Sequence, residues 1–257
     1  MKRRALLIDA GRAAPDDIID GCRVDVEQMK AWLMSKAGGA WDEDEICWLH
    51  NQPLAKIEQG KRWADAAEFA FVAFSGHGHI NEVDGKRHQA VIVDGCQEID
   101  FAKLKPSTAK SIVICDACRK VHVKAPIRLS IMESVQKYAR AAAKRFSRED
   151  YKREYLRLLT EGDGRYTMYS CSAGQFSGED EENGGRFTSS LMSCASIWYT
   201  DIAGPREDLR IGQVFARAAP IVSEKSRAQN PRYPQDPEAF SSIRGVSSKY
   251  PFVIHLE

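Results

Sequence analysis

The stretch "FAFVAFSGHGHI", residues 69–80, is an unbroken apolar run that ends in serine, glycine and histidine. Farther along the chain, "KSIVICDACRKV", residues 110–121, has the same form and ends in aspartate and cysteine. Continuous apolar runs of this length are typical of strands that are buried on both faces of a parallel sheet. Because the carboxyl ends of such strands share one edge of the sheet, His77 and Cys118 are expected to lie near each other.

The rest of the first two thirds of the chain fits the same sheet. Two more strands are predicted at "RALLIDA", residues 4–10, and "EICWLH", residues 45–50. Helices are predicted over residues 24–39 and 53–67, and a shorter apolar run at residues 89–95 is assigned to a side hairpin. This alternation predicts an α/β/α sandwich with a largely parallel central sheet of about six strands and helices on both faces.

The last third continues the pattern with more turn-forming residues. A proline at position 220 is expected to bend or end its helix, and three prolines assign residues 230–240 to a loop. The predicted elements are a strand at 166–173, an acidic glycine-rich loop at 174–185, helices at 186–199 and 208–225, and a closing strand at 250–256.

Composition excludes several classes of function. The 257 residues are 43% hydrophobic and carry a net charge of +1, which argues against nucleic acid as a partner. No apolar run approaches the roughly 20 residues of a membrane span, and the apolar run before Asp9 is too short for a signal peptide. Seven cysteines, an odd number without paired zinc-knuckle spacing, are expected to be free thiols in a reducing cytoplasm. Cys115 and Cys118 could form a redox pair, but Cys115 lies inside the predicted strand rather than at a helix start.

Residues 119–165 differ in charge from the rest of the chain. They hold 13 Lys or Arg and 6 Asp or Glu, a balance of +7, so the other 210 residues sum to −6. The middle of this segment, Ser130 to Leu159, lacks glycine and proline and has helix-forming composition. A solvated helix face would explain this excess of basic residues as well as a functional segment would.

His77 and Cys118 have the chemistry of acyl transfer. A cysteine at its ordinary pKa is only a few per cent thiolate at neutral pH, so a nearby imidazole would activate it. A tetrahedral oxyanion needs two donors, and the backbone N–H groups of Gly78 and Cys118 are the candidates. A single cysteine or histidine at a strand end is more often structural than catalytic, but two at matching positions favour a catalytic pair.

The sequence resembles the caspase-like cysteine peptidases, and among them the metacaspases and their bacterial relatives. The resemblance is carried by "FSGHG" at residues 74–78 and "VICDACRK" at 113–120. It extends to "IIDGCRVDVEQMKAWL" at 18–33 and "YSCSAGQFSGEDEENGGRFTSSLM" at 169–192, in family order. It implies a caspase-like fold and a thiol protease acting on protein substrates.

The resemblance also assigns roles. It implies Cys118 as nucleophile and His77 as general base and then acid, with no third member of a triad required. It implies one domain over residues 1–257, with a large-subunit-like part at 1–118, the basic linker at 119–165 and a small-subunit-like part at 166–257.

The metacaspase resemblance implies an acidic S1 pocket that accepts Arg or Lys at P1. The matching residues are Cys22, Asp25, Ser75 and Asp116. A carboxylate pair at one sheet edge would give a guanidinium or ammonium charge-assisted hydrogen bonds. The simpler alternatives are that Asp25 stabilises the first turn of its own helix and that Asp116 caps a loop.

The sequence departs from the family in two places. Arg119 and Lys120 follow Cys118 where a glycine is expected nearby, and no acidic calcium motif follows the histidine. The Glu179–Glu182 run could hold a hard cation, but exposed carboxylates in a glycine-rich loop are usually solvated. We therefore predict no metal and no cofactor, and calcium dependence is left without a visible site.

The linker is often cut when relatives are activated, which implies a zymogen cleaved by itself or by an upstream protease. An enzyme that prefers basic residues would find candidate processing sites at Arg119, Lys120, Lys144, Arg145, Lys152 and Arg153. The resemblance to bacterial members implies a signalling or antiviral defence pathway. A catalytically silent caspase-like interaction module is the alternative. A doubly wound hydrolase or nucleotide-binding protein is disfavoured because "IDAGRAAPDD" matches neither G-x-G-x-x-G nor a P-loop.

Overall fold

A computed structural model of the chain describes residues 1–14, 17–95, 97–120, 146–180, 183–201 and 206–256. Its helices are α1 Gly21–Met34, α2 Leu54–Asp65, α3 Arg148–Leu158, α4 Arg186–Thr200 and α5 Ile211–Gln229. Its strands are β1 Arg3–Ala10, β2 Arg12–Ala14, β3 Asp17–Ile18, β4 Ile46–His50, β5 Phe69–Gly76, β6 Gly78–Val83, β7 Lys86–Val93, β8 Gln97–Asp100, β9 Lys110–Asp116, β10 Arg165–Tyr169, β11 Glu179–Asp180, β12 Gly184–Gly185, β13 Leu209–Arg210, β14 Glu238–Ser241 and β15 Pro251–Val253.

Six strands form the central sheet, in the order β14-β10-β9-β5-β1-β4. All neighbours are parallel except β14, which runs antiparallel to β10 at one edge. The prediction of a largely parallel, six-stranded α/β/α sandwich is therefore confirmed.

The core lies on both faces of the sheet because successive side chains of a strand point in opposite directions. In β1, Ala5 and Leu7 pack into a cluster with α1, α3, α4 and α5, whereas Leu6 and Ile8 pack with α2 and the side sheet. All four of these β1 side chains are fully buried, which is why the sequence pattern is continuous rather than alternating.

A second sheet, β6-β7-β8, extends from the end of β5 and confirms the predicted side hairpin. It begins immediately after His77, so the residue that ends the central strand also starts the hairpin.

Four details of the last third differ from the prediction. The sixth strand, β14, falls inside the predicted loop, directly after Pro237, where an edge strand needs hydrogen bonds on one side only. The closing strand β15 pairs with β13, outside the central sheet. The acidic loop contains a short hairpin of β11 and β12. Helix α5 continues past Pro220, because Pro220 is exposed and solvent can reach the carbonyl left without a donor.

The predicted helix over residues 130–159 is confirmed at its end by α3, and residues 121–145 lie outside the described part of the chain. Among the described helices, none has the length and apolarity needed to cross a membrane.

Candidate active site

The two reactive residues lie at neighbouring strand ends. Strands β5 and β9 are parallel partners in a register that pairs Ser75 with Asp116. His77 follows Ser75 by two residues, and Cys118 follows Asp116 by two. The register therefore brings the two motifs to the same edge of the sheet at the same height, as the sequence predicted.

The imidazole of His77 is held by a backbone group. Its Nε2 lies 3.2 Å from the carbonyl oxygen of Gly11, which follows β1, the other neighbour of β5. A carbonyl oxygen only accepts, so Nε2 carries the proton in this contact and Nδ1 is the nitrogen able to take a proton from a thiol. The contact with Gly11 could not be predicted from the sequence, because any residue type can supply a backbone carbonyl.

The sulfur of Cys118 is covered by Ser177. The Ser177 N–H donates to the sulfur over 3.3 Å, and the thiol lies 3.6 Å from the Ser177 carbonyl oxygen. Burial raises the pKa of Cys118 to about 11; the Ser177 N–H opposes this rise, and the charges of Asp116 and Glu179 add to it. Cys118 is therefore a protonated thiol in this conformation.

The segment after Cys118 is held from two sides. Gln89 in β7 donates from Nε2 to the Cys118 carbonyl over 3.1 Å, and the N–H of Ile80 donates to the Lys120 carbonyl over 3.0 Å. On the other side, the N–H of Arg119 donates to the Gln175 carbonyl over 2.9 Å. Gln89 also accepts from the Arg119 guanidinium over 3.1 Å. These contacts hold the segment after Cys118 in place, although it has no glycine next to Cys118.

The predicted oxyanion residue Gly78 packs against this segment. A Cβ added to Gly78 would fall 2.9 Å from the Ala117 methyl and 2.9 Å from Gln89 Nε2. Such distances are far below van der Waals contact, so only glycine lets β6 approach the residue before Cys118 so closely.

The first predicted pocket carboxylate, Asp25, is 3% exposed. It accepts a hydrogen bond from the Ser75 hydroxyl over 2.6 Å and another from the Gly185 N–H over 2.7 Å. Burial and then the charge of Asp116 raise the pKa of Asp25 well above its usual range. Burial also raises the pKa of Cys22, with the charges of Glu179 and Asp25 adding to it.

The second carboxylate, Asp116, is 5% exposed. One oxygen accepts from the Ser177 hydroxyl over 2.7 Å, and the other accepts from the N–H and hydroxyl of Thr188 over 3.1 and 2.8 Å. The structure therefore brings Cys22, Asp25, Ser75 and Asp116 into one buried cluster near Cys118.

Both carboxylates also satisfy N–H groups at the start of α4, through Gly185 and Thr188. Asp25 is the fifth residue of α1 and lies beyond its first turn, so the alternative of stabilising its own helix start does not hold. The alternative for Asp116 holds in a changed form: it caps α4 rather than a loop. The two glycines of β12 pack directly on these carboxylates, where an added Cβ would clash.

The predicted processing sites fall into three groups. Lys144 and Arg145 lie outside the described residues. Lys152 and Arg153 lie within α3, where Lys152 pairs with Asp42 and Glu45 and Arg153 pairs with Asp150. A helical backbone does not fit the extended conformation that proteases bind.

Arg119 and Lys120 are held in place beside the site. Arg119 pairs with Glu238 over 2.6 Å, lies 4.2 Å above the Tyr169 ring, and its side chain is 11% exposed. Lys120 lies 4.2 Å from the centre of the Phe176 ring. In this conformation neither residue is presented as a cleavage site, because both side chains are engaged by the fold.

No group of three or more His, Cys, Asp or Glu side chains in the described parts of the chain could hold a metal ion. Of the Glu179–Glu182 run, Glu179 is half-buried and acts electrostatically on Cys22, Asp25 and Cys118, whereas Glu181 and Glu182 are not described.

Comparison with known proteins agrees with this architecture. The crystal structure of caspase-1 from Spodoptera frugiperda superposes with a TM-score of 0.60 and 13% identity, covering 95% of this chain and 88% of that one. At this identity the likeness concerns the fold alone. A search of curated protein sequences found no match. The family model of the caspase domain, Peptidase_C14, matches residues 2–245, so the chain belongs to the caspase-domain peptidase family.

Proposed function

We propose that the protein is a cysteine endopeptidase that cleaves proteins after Arg or Lys, using Cys118 and His77. The observation that carries this proposal is the register of β5 and β9, which pairs Ser75 with Asp116, so that His77 and Cys118 each follow a paired residue by two positions at one edge of the sheet. The buried acidic cluster adjoins the same two strand ends.

The mechanism follows from these contacts. With Nε2 of His77 donating to the Gly11 carbonyl, Nδ1 takes the proton of the Cys118 thiol as the sulfur attacks the scissile carbonyl carbon. The N–H groups of Gly78 and Cys118 receive the oxyanion. His77 then protonates the leaving amine, which leaves a thioester on Cys118. Water, deprotonated by His77, hydrolyses the thioester and regenerates the thiol.

Specificity for a basic P1 residue follows from Asp25 and Asp116. A guanidinium or ammonium entering the cluster would replace the hydrogen bonds that Gly185 and Ser177 now donate, and would stabilise the ionised carboxylates. The half-buried Glu179 adds negative charge at the same place. An acidic P1 residue would be repelled by the carboxylates of the cluster.

We propose that the described conformation is an unactivated one; the support is that Ser177 is hydrogen-bonded to the sulfur and Gly185 lies on the carboxylates. We propose that cleavage in the 119–165 linker, by the enzyme itself or by an upstream protease, releases this cover. Lys144 and Arg145 are the candidate sites that we favour, since Arg119, Lys120, Lys152 and Arg153 are engaged by the fold.

A panel of fluorogenic peptides with Arg, Lys or Asp at P1 tests the proposal. Wild type, Cys118→Ala and His77→Ala are compared before and after limited nicking of the linker. We expect Arg and Lys cleavage that rises on nicking and is lost in both variants. Cleavage after Asp would overturn the acidic pocket. A linker variant with its Lys and Arg changed to Gln that is fully active as isolated would overturn activation by cleavage.

A catalytically silent interaction module is the second candidate. It is favoured by one observation, the raised pKa of about 11 of a Cys118 sulfur that is already hydrogen-bonded to Ser177. It predicts that nicked wild type hydrolyses no peptide of the panel and that wild type and Cys118→Ala bind a partner equally well.

A further inference from the structure

Arg186, the first residue of α4, is a buried cation without a counter-charge in contact. It is 4% exposed, and its Nη1 donates to Oε1 of Gln235 over 2.8 Å while Nη2 donates to Oε1 of Gln229. Both acceptors are neutral amides. Among the described residues, its buried Nε has no hydrogen-bond partner. A guanidinium in such surroundings is unfavourable unless a negative charge compensates it.

Asp116 is the carboxylate of the acidic cluster whose charge acts on Arg186, and it contacts the first turn of α4, which Arg186 begins. A Cβ added to Gly185 would fall 2.4 Å from Asp116 Oδ2, and the N–H of Thr188 donates to the same oxygen. Burial lowers the pKa of Arg186 and the charge of Asp116 raises it, so the two groups attract each other without touching. The guanidinium lies instead on Gly178, where an added Cβ would fall 2.6 Å from Nη1.

Gln235 links Arg186 to Ser177, which in turn contacts Asp116. Its side-chain amide makes four hydrogen bonds. It is 1% exposed, and Nε2 donates to the Ser170 carbonyl over 3.0 Å and to the Ser177 hydroxyl over 3.2 Å. Oε1 accepts from the Gly178 N–H over 3.0 Å as well as from Arg186. Because Ser177 donates onward to Asp116, one chain of hydrogen bonds joins the cation to the carboxylate.

We propose that Gln235 is a positioning residue for specificity: it holds the Arg186 guanidinium apart from Asp116, with two hydrogen-bonded residues, Gln235 and Ser177, between them. Arg186 then compensates the cluster electrostatically while Asp116 stays available to a basic side chain of the substrate. Without Gln235, Arg186 would form an ion pair with Asp116. It would then compete with the basic side chain of the substrate for the same carboxylate. This inference rests on the proposed preference for Arg or Lys at P1.

The kinetic test uses the nicked protein and an Arg-P1 peptide. Gln235→Leu is expected to raise KM by about tenfold or more, the effect of losing one charge-assisted hydrogen bond, with a smaller change in kcat. The double variant Gln235→Leu/Arg186→Gln is expected to return KM to within about threefold of wild type, since the competing cation is gone. A double variant no better than Gln235→Leu would overturn the proposal.

Gln175→Leu is the matched control. Gln175 joins the same two loops, by accepting from the N–H groups of Ser172 and Asp236, and it does not contact Arg186. Any loss in Gln175→Leu should therefore not be relieved by adding Arg186→Gln. If Arg186→Gln relieved both equally, its effect would be a general one and the proposal would fail.

Two further experiments keep the proposal testable if Gln235→Leu does not fold or if the wild type shows no activity. Gly178→Ala would push the guanidinium off its present site while Gln235 is intact, and should show the same rise in KM and the same relief. A crystal structure of Gln235→Leu or Gly178→Ala should show an Arg186–Asp116 ion pair, whatever the activity. A guanidinium that still lies on residue 178, or that points to solvent, would refute the proposed role of Gln235. An ion pair found while wild type cleaves no basic peptide would instead refute the proposed function alone.

Discussion

The N–H of Ser177 donates to the sulfur of Cys118 over 3.3 Å. The hydroxyl of the same serine donates to Asp116 over 2.7 Å, so one residue is hydrogen-bonded to both Cys118 and the acidic cluster. A substrate that displaces Ser177 from either group must disturb its bond to the other. The two halves of the site are therefore expected to open together, and the following predictions measure each half separately.

The first prediction concerns the reactivity of the Cys118 thiol in the unnicked protein. With a pKa of about 11, only about one thiol in ten thousand is ionised at pH 7. We expect the rate of Cys118 alkylation by iodoacetamide, followed by peptide mass spectrometry, to rise steadily up to about pH 11. Nicking of the linker should shift this profile to lower pH. A plateau near pH 8.5 in the unnicked protein would show that the sulfur is not covered as described.

The second prediction concerns Asp25→Asn and the pH dependence of stability. Because the pKa of Asp25 is raised above its ordinary value of 3.8, the folded state binds more protons than the unfolded state at pH values between the two. The free energy of unfolding contributed by this group therefore falls as pH rises through that window. Asp25→Asn removes the fall, so its stability relative to wild type should increase from pH 4 to pH 8 in urea titrations.

The same variant should cleave basic peptides less efficiently, although its stability relative to wild type increases with pH. We expect kcat/KM for Arg-P1 peptides to fall by about tenfold or more, because one charge-assisted hydrogen bond to the substrate is lost. Asp25→Glu, which keeps the charge, is the control for activity. Equal pH dependence of unfolding in wild type and Asp25→Asn would contradict the raised pKa.

The third prediction concerns Gly78→Ala. The new methyl group would meet the Ala117 side chain and Gln89, and would move the predicted oxyanion donor away from Cys118. Loss of one such donor lowers kcat by about 100-fold or more. Gly85, at the tip of the same hairpin, has φ +70 and open space around it, so Gly85→Asn is the control and should retain activity. Similar kcat values for Gly78→Ala and wild type would exclude Gly78 from the oxyanion site.

The fold, and the positions of the candidate site residues at the ends of its strands, could be predicted because their signals are local. Strands β1, β5 and β9 are continuous apolar runs, and the reactive residues follow β5 and β9 directly. The motif residues of the acidic cluster, such as Asp25, were found through family resemblance, and the structure brings them together.

The residues that were missed act over long sequence separations. Gln89 donates to the Cys118 carbonyl from a side hairpin. Gln235 donates to Ser170 and Ser177 from a segment whose only sequence signal was its three prolines. A neutral amide has no local pattern that distinguishes such a role from solvent exposure. Strand β14 was missed for a related reason: it is four residues long and is defined by its pairing with β10 rather than by its own apolar pattern.

The last prediction separates anchoring from processing at Arg119. Its guanidinium donates to Gln89, to the Cys171 carbonyl and to Glu238, and it lies over Tyr169. Arg119→Gln leaves these acceptors without a donor, so we expect unfolding in urea to be easier by about 2–3 kcal/mol. Arg153→Gln, which changes a 76% exposed side chain, should alter stability by no more than about 0.5 kcal/mol.

Mass spectrometry of the nicked protein shows whether the chain is cut after Arg119. If Arg119 is an anchor of the segment after the nucleophile, no fragment of the active enzyme should end at Arg119, and cleavage there should abolish activity. A fully active enzyme that carries a cut after Arg119 would show that its contacts belong only to the unactivated form. In that case the loss of stability in Arg119→Gln would disappear once the linker has been nicked.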